Sequence, residues 1–101
     1  MESKNVMNWK FTIGMNDRNT HAQILTRSQF EKIIIHAVGD CTIEDARGVY
    51  KGEIENTLII SVFGKFDLIG AREAARTLCH KLNQETIIIS PIVEECEFIA
   101  F

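Results

Sequence analysis

The residues with the chemistry to grip a ligand gather in one stretch, Glu44 to Asn56 (EDARGVYKGEIEN). Arg47 carries a planar fork suited to phosphate or carboxylate, and Lys51 adds a point charge. Tyr50 offers a stacking face with a hydroxyl. A second polar run, Gly14 to Ile24, holds Asn16, Asp17 and Arg18, which could close over such a site as a lid. A loop of about ten residues in so small a chain is more often functional or mobile than a plain connector. The same stretch also holds Glu44, Asp45, Glu53 and Glu55, an acidic set that complements a basic partner surface. Against both readings stands a plainer one, an exposed hairpin whose charges merely pair across strands, each pair worth little.

Other chemistries lack their constellations. His21, His36, His80, Cys41, Cys79 and Cys96 are metal-ligand types, but no C-x-x-C or H-x-x-x-H spacing brings them together. No metal and no cofactor is implied. A cysteine–histidine pair has no local signature, and G-x-x-x-x-G-K is missing, so no catalytic residue is assigned and the expectation is a protein that is not an enzyme. RNA-binding sheets stack bases on aromatics beside basic residues, a signature these strands lack.

These side chains need elements to position them. Met7, Trp9, Phe11 and Ile13 alternate with polar residues, which is a strand with one buried face. Thr26 and Gln29 have the capping-box spacing, with Leu25 and Phe30 at the staple positions. Phe30, Ile33, Ile34 and Ala37 then follow helical spacing, and Gly39 stands where the helix ends. Cys41 to Tyr50 reads as a second strand, with Gly48 marking a bulge or bend. Lys51-Gly52-Glu53 turns the chain into a third strand, Asn56 to Phe63. Asp67 caps a second helix, Leu68 to Leu82, whose inner stripe is Ala71, Ala74, Ala75, Leu78 and Leu82. Thr86 to Ser90 is a fourth strand interrupted by Pro91, and Glu95 to Phe101 alternates as a continuation or a fifth strand. The order predicts an α+β chain of ferredoxin-like β-α-β-β-α-β form, an antiparallel sheet with both helices on one face.

The 101 residues make one domain, 1–101, with 1–6 expected as a disordered tail. Folding would leave roughly 5,800 Å² of the roughly 16,700 Å² that the unfolded chain exposes, enough burial for a core without disulfides. Eleven basic against fourteen acidic residues give a net charge of −3, which argues against wrapping a nucleic acid. The opening MESKNVMNWK has no apolar stretch for a signal peptide, and no run suits a membrane span. Three cysteines in separate segments fit a reducing cytoplasm. Ile59 and Phe63 fall on the sheet face that the helices leave bare, so a homodimer or higher oligomer is expected.

Several short motifs carry a likeness. F-x-I-G (Phe11 to Gly14), Ser28-Gln29-Phe30, T-I-x-x-A-R-G-x-Y (Thr42 to Tyr50), E-N-T-L-I-I (Glu55 to Ile60) and N-Q-E-T-I (Asn83 to Ile87) are similar to a family of short bacterial and phage proteins classed as a domain of unknown function. That resemblance covers Phe11 to Phe101 and implies an α+β fold and a phage origin, with no activity to transfer. With the Arg/Tyr/Lys cluster it leads to a non-enzymatic counter-defence protein that sequesters a small anionic ligand such as a nucleotide immune signal. Arg47, Tyr50, Lys51, Asn16, Asp17 and Arg18 would bind it. The alternative is an anti-CRISPR-like inhibitor of a host defence protein, acting through Glu44, Asp45, Glu53 and Glu55.

Overall fold

A computed structural model describes residues 6–93 and 97–100. The element order is β1 (Met7–Gly14), α1 (Arg27–Val38), β2 (Thr42–Tyr50), β3 (Glu53–Phe66), α2 (Leu68–Lys81) and β4 (Ile88–Ile92). The strands form one sheet in the order β2-β3-β1-β4, with every neighbouring pair antiparallel. This is the ferredoxin-like α+β fold that the order of elements predicts.

Local signals start each helix. At α1 the Thr26 hydroxyl accepts from the Gln29 N–H at 3.2 Å, and the Gln29 side chain accepts from the Thr26 N–H at 2.8 Å. Two otherwise orphaned donors are thereby satisfied. At its far end the Lys65 ammonium donates to the Val38 carbonyl at 2.6 Å. Asp67 caps α2 by accepting from the Gly70 N–H at 2.8 Å. The core lies between helices and sheet. Trp9, Phe11 and Ile13 of β1 meet Leu58, Ile60 and Val62 of β3, under Phe30, Ile34 and Val38 from α1 and Ala71, Ala75 and Leu78 from α2. The alanines let α2 lie close to the sheet, and the Trp9 indole N–H donates to the Phe66 carbonyl at 2.9 Å.

Four details depart from the sequence reading. Gly48 makes no bulge: β2 and β3 pair in continuous register through Gly48↔Glu55, and a Cβ there would come within 2.7 Å of the Thr57 hydroxyl. The glycine is a close-packing device. β3 begins at Glu53 and runs to Phe66, longer than its apolar stretch suggests. Pro91 lies inside β4, opposite Trp9, because an edge strand tolerates a residue without an N–H. Residues 97–100 belong to no strand, and Phe98 instead packs edge-on against Phe63, ring centroids 6.3 Å apart. The rest of the expected fifth strand, and the expected tail except Val6, lie outside the described residues. No helix among the described residues is long and apolar enough to cross a membrane.

Candidate functional site

The β2–β3 hairpin overhangs the end of β1. β1 stops at Gly14, opposite Thr57, while β3 begins four residues earlier in the chain, at Glu53. The chain leaving β1 turns under this overhang, and the Met15 N–H donates to the Asn56 carbonyl at 2.8 Å. The segment linking α2 to β4 closes the third side. Between them lies a narrow cleft of about 70 Å³, open at its mouth, lined by Gly14, the 16–18 turn, His21, Tyr50, Lys51, Glu53, Glu55 and the 84–86 segment.

Strand alternation decides which predicted residues reach it. In β3 the helix-facing residues are Leu58, Ile60 and Val62, so Glu53, Glu55 and Thr57 take the opposite face, with Tyr50 across from Glu53. Arg47 lies three residues before Tyr50, an odd step that sends it to the helix side. There it borders a separate depression with Arg27, Asp45, Gln23 and Asn56. Of the six residues predicted to hold a ligand, Asn16, Asp17, Arg18, Tyr50 and Lys51 meet in the cleft and Arg47 does not. The acidic set is divided likewise. Glu53 and Glu55 line the cleft, Asp45 pairs with Arg27 at 3.0 Å, and Glu44 sits opposite Ile59.

Glu55 is the carboxylate held most closely. It is half-buried and accepts from the Asn16 N–H at 3.0 Å. Its carboxylate lies over Gly14, where a Cβ would come within 2.5 Å of it, so only glycine leaves it that place. The loop above is stitched down. Asp17 accepts from the Asn19 and Thr20 N–H groups at 3.0 and 3.2 Å and from the Asn83 amide at 2.7 Å. The Asn83 amide first, with lesser help from the backbone donors, holds its carboxyl below the usual aspartate range, against an opposing effect of burial second only to that of Asn83. Buried Gln84 donates to the Asn16 carbonyl at 3.0 Å. The Gly14–Ile24 loop is therefore a fixed wall of the cleft, anchored at both 16–18 and 83–84.

Across the mouth, Lys51 from the hairpin reaches Glu85 at 3.3 Å, and its ammonium also sits 5.4 Å from the Tyr50 ring centre. The Lys51 hydrogen bond and charge, with a smaller contribution from Tyr50, draw the Glu85 carboxyl below its usual range. His21, Lys51 and Asn83 all have positive φ, an uncommon and strained backbone state for residues other than glycine. Two of the three line the cleft and the third anchors its wall, and such strain collects at functional sites. Burial pushes the half-buried Cys41 and Cys79 thiols up, so at neutral pH neither is an activated nucleophile. His21, Gln84, Glu85 and Thr86 were invisible as site residues in the sequence. The signal for 84–86 is a polar run after a helix end, and for His21 its place in the polar loop before α1, patterns that also describe ordinary turns.

No family model and no curated protein matches the chain. Among solved structures, the fold matches a phage SAM lyase in its apo state. The TM-score is 0.62 at 19% identity, and the match covers 90% of this chain and 86% of that one. At that identity the likeness shows a shared fold. It nevertheless corrects the expectation of a non-enzymatic binder, as ligand sequestrant or as protein inhibitor, because the similar structure is an enzyme.

Proposed function

We propose that the chain is a phage-encoded enzyme that cleaves SAM, with the cleft beneath the β2–β3 overhang as its active site. The observation that carries this reading is an acidic cleft on a fold shared, over 90% of the chain, with a SAM lyase. SAM is a sulfonium bearing an ammonium, a carboxylate and a nucleoside. Four carboxylates, those of Asp17, Glu53, Glu55 and Glu85, line the cleft against the permanent cations Arg18 and Lys51. An acidic surface favours the sulfonium and ammonium ends. Tyr50 supplies a face for the base or for the sulfonium itself.

When a carbon–sulfur bond of a sulfonium breaks, the electron pair stays on sulfur, which leaves as a neutral thioether. The leaving group therefore needs no acid. The carbon fragment then either gives a proton to a base and forms an alkene, or closes on its own carboxylate and forms a lactone. Glu55, fixed by the Asn16 N–H and by Gly14, is the group placed to act as that base or to hold the cationic substrate in the reactive geometry. Removing SAM would deprive a host of its SAM-dependent reactions, which gives the chain a counter-defence role in the host cytoplasm. The reading also retains the resemblance to short phage proteins and a self-associated state, since the cleft of one copy is open at its mouth.

The test is incubation of purified protein with SAM, followed by mass spectrometry. Loss of SAM with formation of one equivalent of thioether supports the reading, and the co-product, alkene or lactone, assigns the path. SAM that persists unchanged beside active controls overturns it.

A further inference from the structure

The Lys51–Glu85 pair crosses the mouth of the cleft, joining the hairpin tip to the segment between α2 and β4. Both side chains are about half-exposed, 60% and 44%, so the pair adds little to the stability of the fold. Its position is nonetheless costly, because Lys51 holds φ at 52° in the turn, where glycine or asparagine would be easier. Glu85 also lines a second groove, on the far side of the same wall, with Arg18, Gln84 and Thr86 common to both. An ion pair that is weak, strained and set at the entrance suits exchange of partners better than structural support.

Resting on the SAM-cleaving reading, we propose that Lys51 reads the substrate's carboxylate and that Glu85 occupies Lys51 while the cleft is empty. Among the described residues Lys51 is the one lysine lining the cleft, and its three donors can turn from one carboxylate to another without moving the backbone. Glu55, further along β3 and half-buried, takes the cationic part of the same molecule, with Glu53 beside it at the turn. The cleft then distinguishes a zwitterionic amino-acid sulfonium from a sulfonium of the same shape without the carboxylate. Entry exchanges one carboxylate for another at Lys51 and releases the half-exposed Glu85 to solvent at the mouth.

The test compares SAM with its decarboxylated analogue, measured as a competitive inhibitor of SAM cleavage. Lys51→Met raises KM for SAM roughly tenfold or more, the scale of a lost charged hydrogen bond, and leaves the analogue's Ki unchanged. Lys51→Asn, which suits the turn's backbone, gives the same result and separates the lost charge from any loss of folding. Lys51→Arg restores most of the affinity. Glu85→Gln lowers KM for SAM, up to about fivefold, because a competitor for Lys51 has gone. Equal weakening of SAM and analogue by both Lys51 variants overturns the proposal, as does a raised KM in Glu85→Gln. In either case the cleavage reading stands. If the wild-type chain does not cleave SAM, the cleavage reading falls first and this proposal with it.

Discussion

Glu55 depends on a neighbour that has no side chain. Its carboxylate lies where any Cβ on Gly14 would be, and the Asn16 N–H fixes one of its oxygens at 3.0 Å. Two substitutions probe this arrangement from opposite sides. Glu55→Gln keeps the shape and removes the charge, and in SAM cleavage it is expected to lower kcat by about a hundredfold or more, the lower range for a catalytic acid or base. Gly14→Ala keeps the charge and displaces it, because the far end of a flexible side chain yields before backbone does. Its expected outcome is a similar fall in kcat at near-native melting temperature. A Gly14→Ala protein with full activity would show that the site of the Glu55 carboxylate does not matter to the reaction. Strand parity also explains what the sequence concealed at this scale. Arg47, Tyr50 and Lys51 are close in the chain, yet Arg47 and Tyr50 are three residues apart in an extended strand and face opposite ways. A charge cluster in sequence becomes a cluster in space only after the register is known.

At the scale of elements, the loop from Gly14 to Ile24 behaves as a wall because of Asp17. Its carboxylate gathers two backbone N–H groups and the Asn83 amide, bonds that favour the ionised form. The folded carboxyl titrates below the ordinary value of 3.8, so this contribution is fully present above that value. It is lost as pH falls through the lowered one. A pH titration followed by NMR should show the Asn19 and Thr20 amides and the Asn83 side chain shifting together below about pH 4, and Asp17→Asn should abolish that step. Separate titration of those amides would detach the loop from α2. The helices are a different case, since their signals are local. The capping box at Thr26, the alanine stripe of α2 and the alternation of β1 all depend on residues within a few positions of each other, and each forms as the pattern dictates. Thr26→Ala should cost about 1 kcal/mol and lower Tm by about 5 °C. The cleft depends instead on contacts such as Asn83 to Asp17, 66 residues apart, and Glu55 to Asn16, 39 apart, which no local spacing announces. That is why the fold was legible and a third of the cleft lining was not.

On the scale of the whole molecule, the overhang that makes the cleft also leaves apolar side chains without cover. Val49 and Ile54 pair across the hairpin on the helix side of the sheet, and they remain 73% and 66% exposed. On the other face Phe63 is met by Phe98, while Ile88 stays open. A monomer rarely leaves directly paired β-branched residues at a projecting tip in water. Association through the hairpin would cover the pair from the face opposite the cleft and so brace the overhang that roofs it, and assembly and activity should then be lost together. Sedimentation of the wild-type chain at micromolar concentration is expected to give a multiple of 11.5 kDa. Ile54→Lys, a change at an exposed position that leaves the core intact, should shift it to the monomer and cost at least about tenfold in kcat/KM, the value of about 1.4 kcal/mol of lost transition-state binding. A monomeric variant with undiminished cleavage would mean that one copy completes its own active site. A wild-type monomer would mean that the bare hairpin tip serves something other than a second copy of this chain.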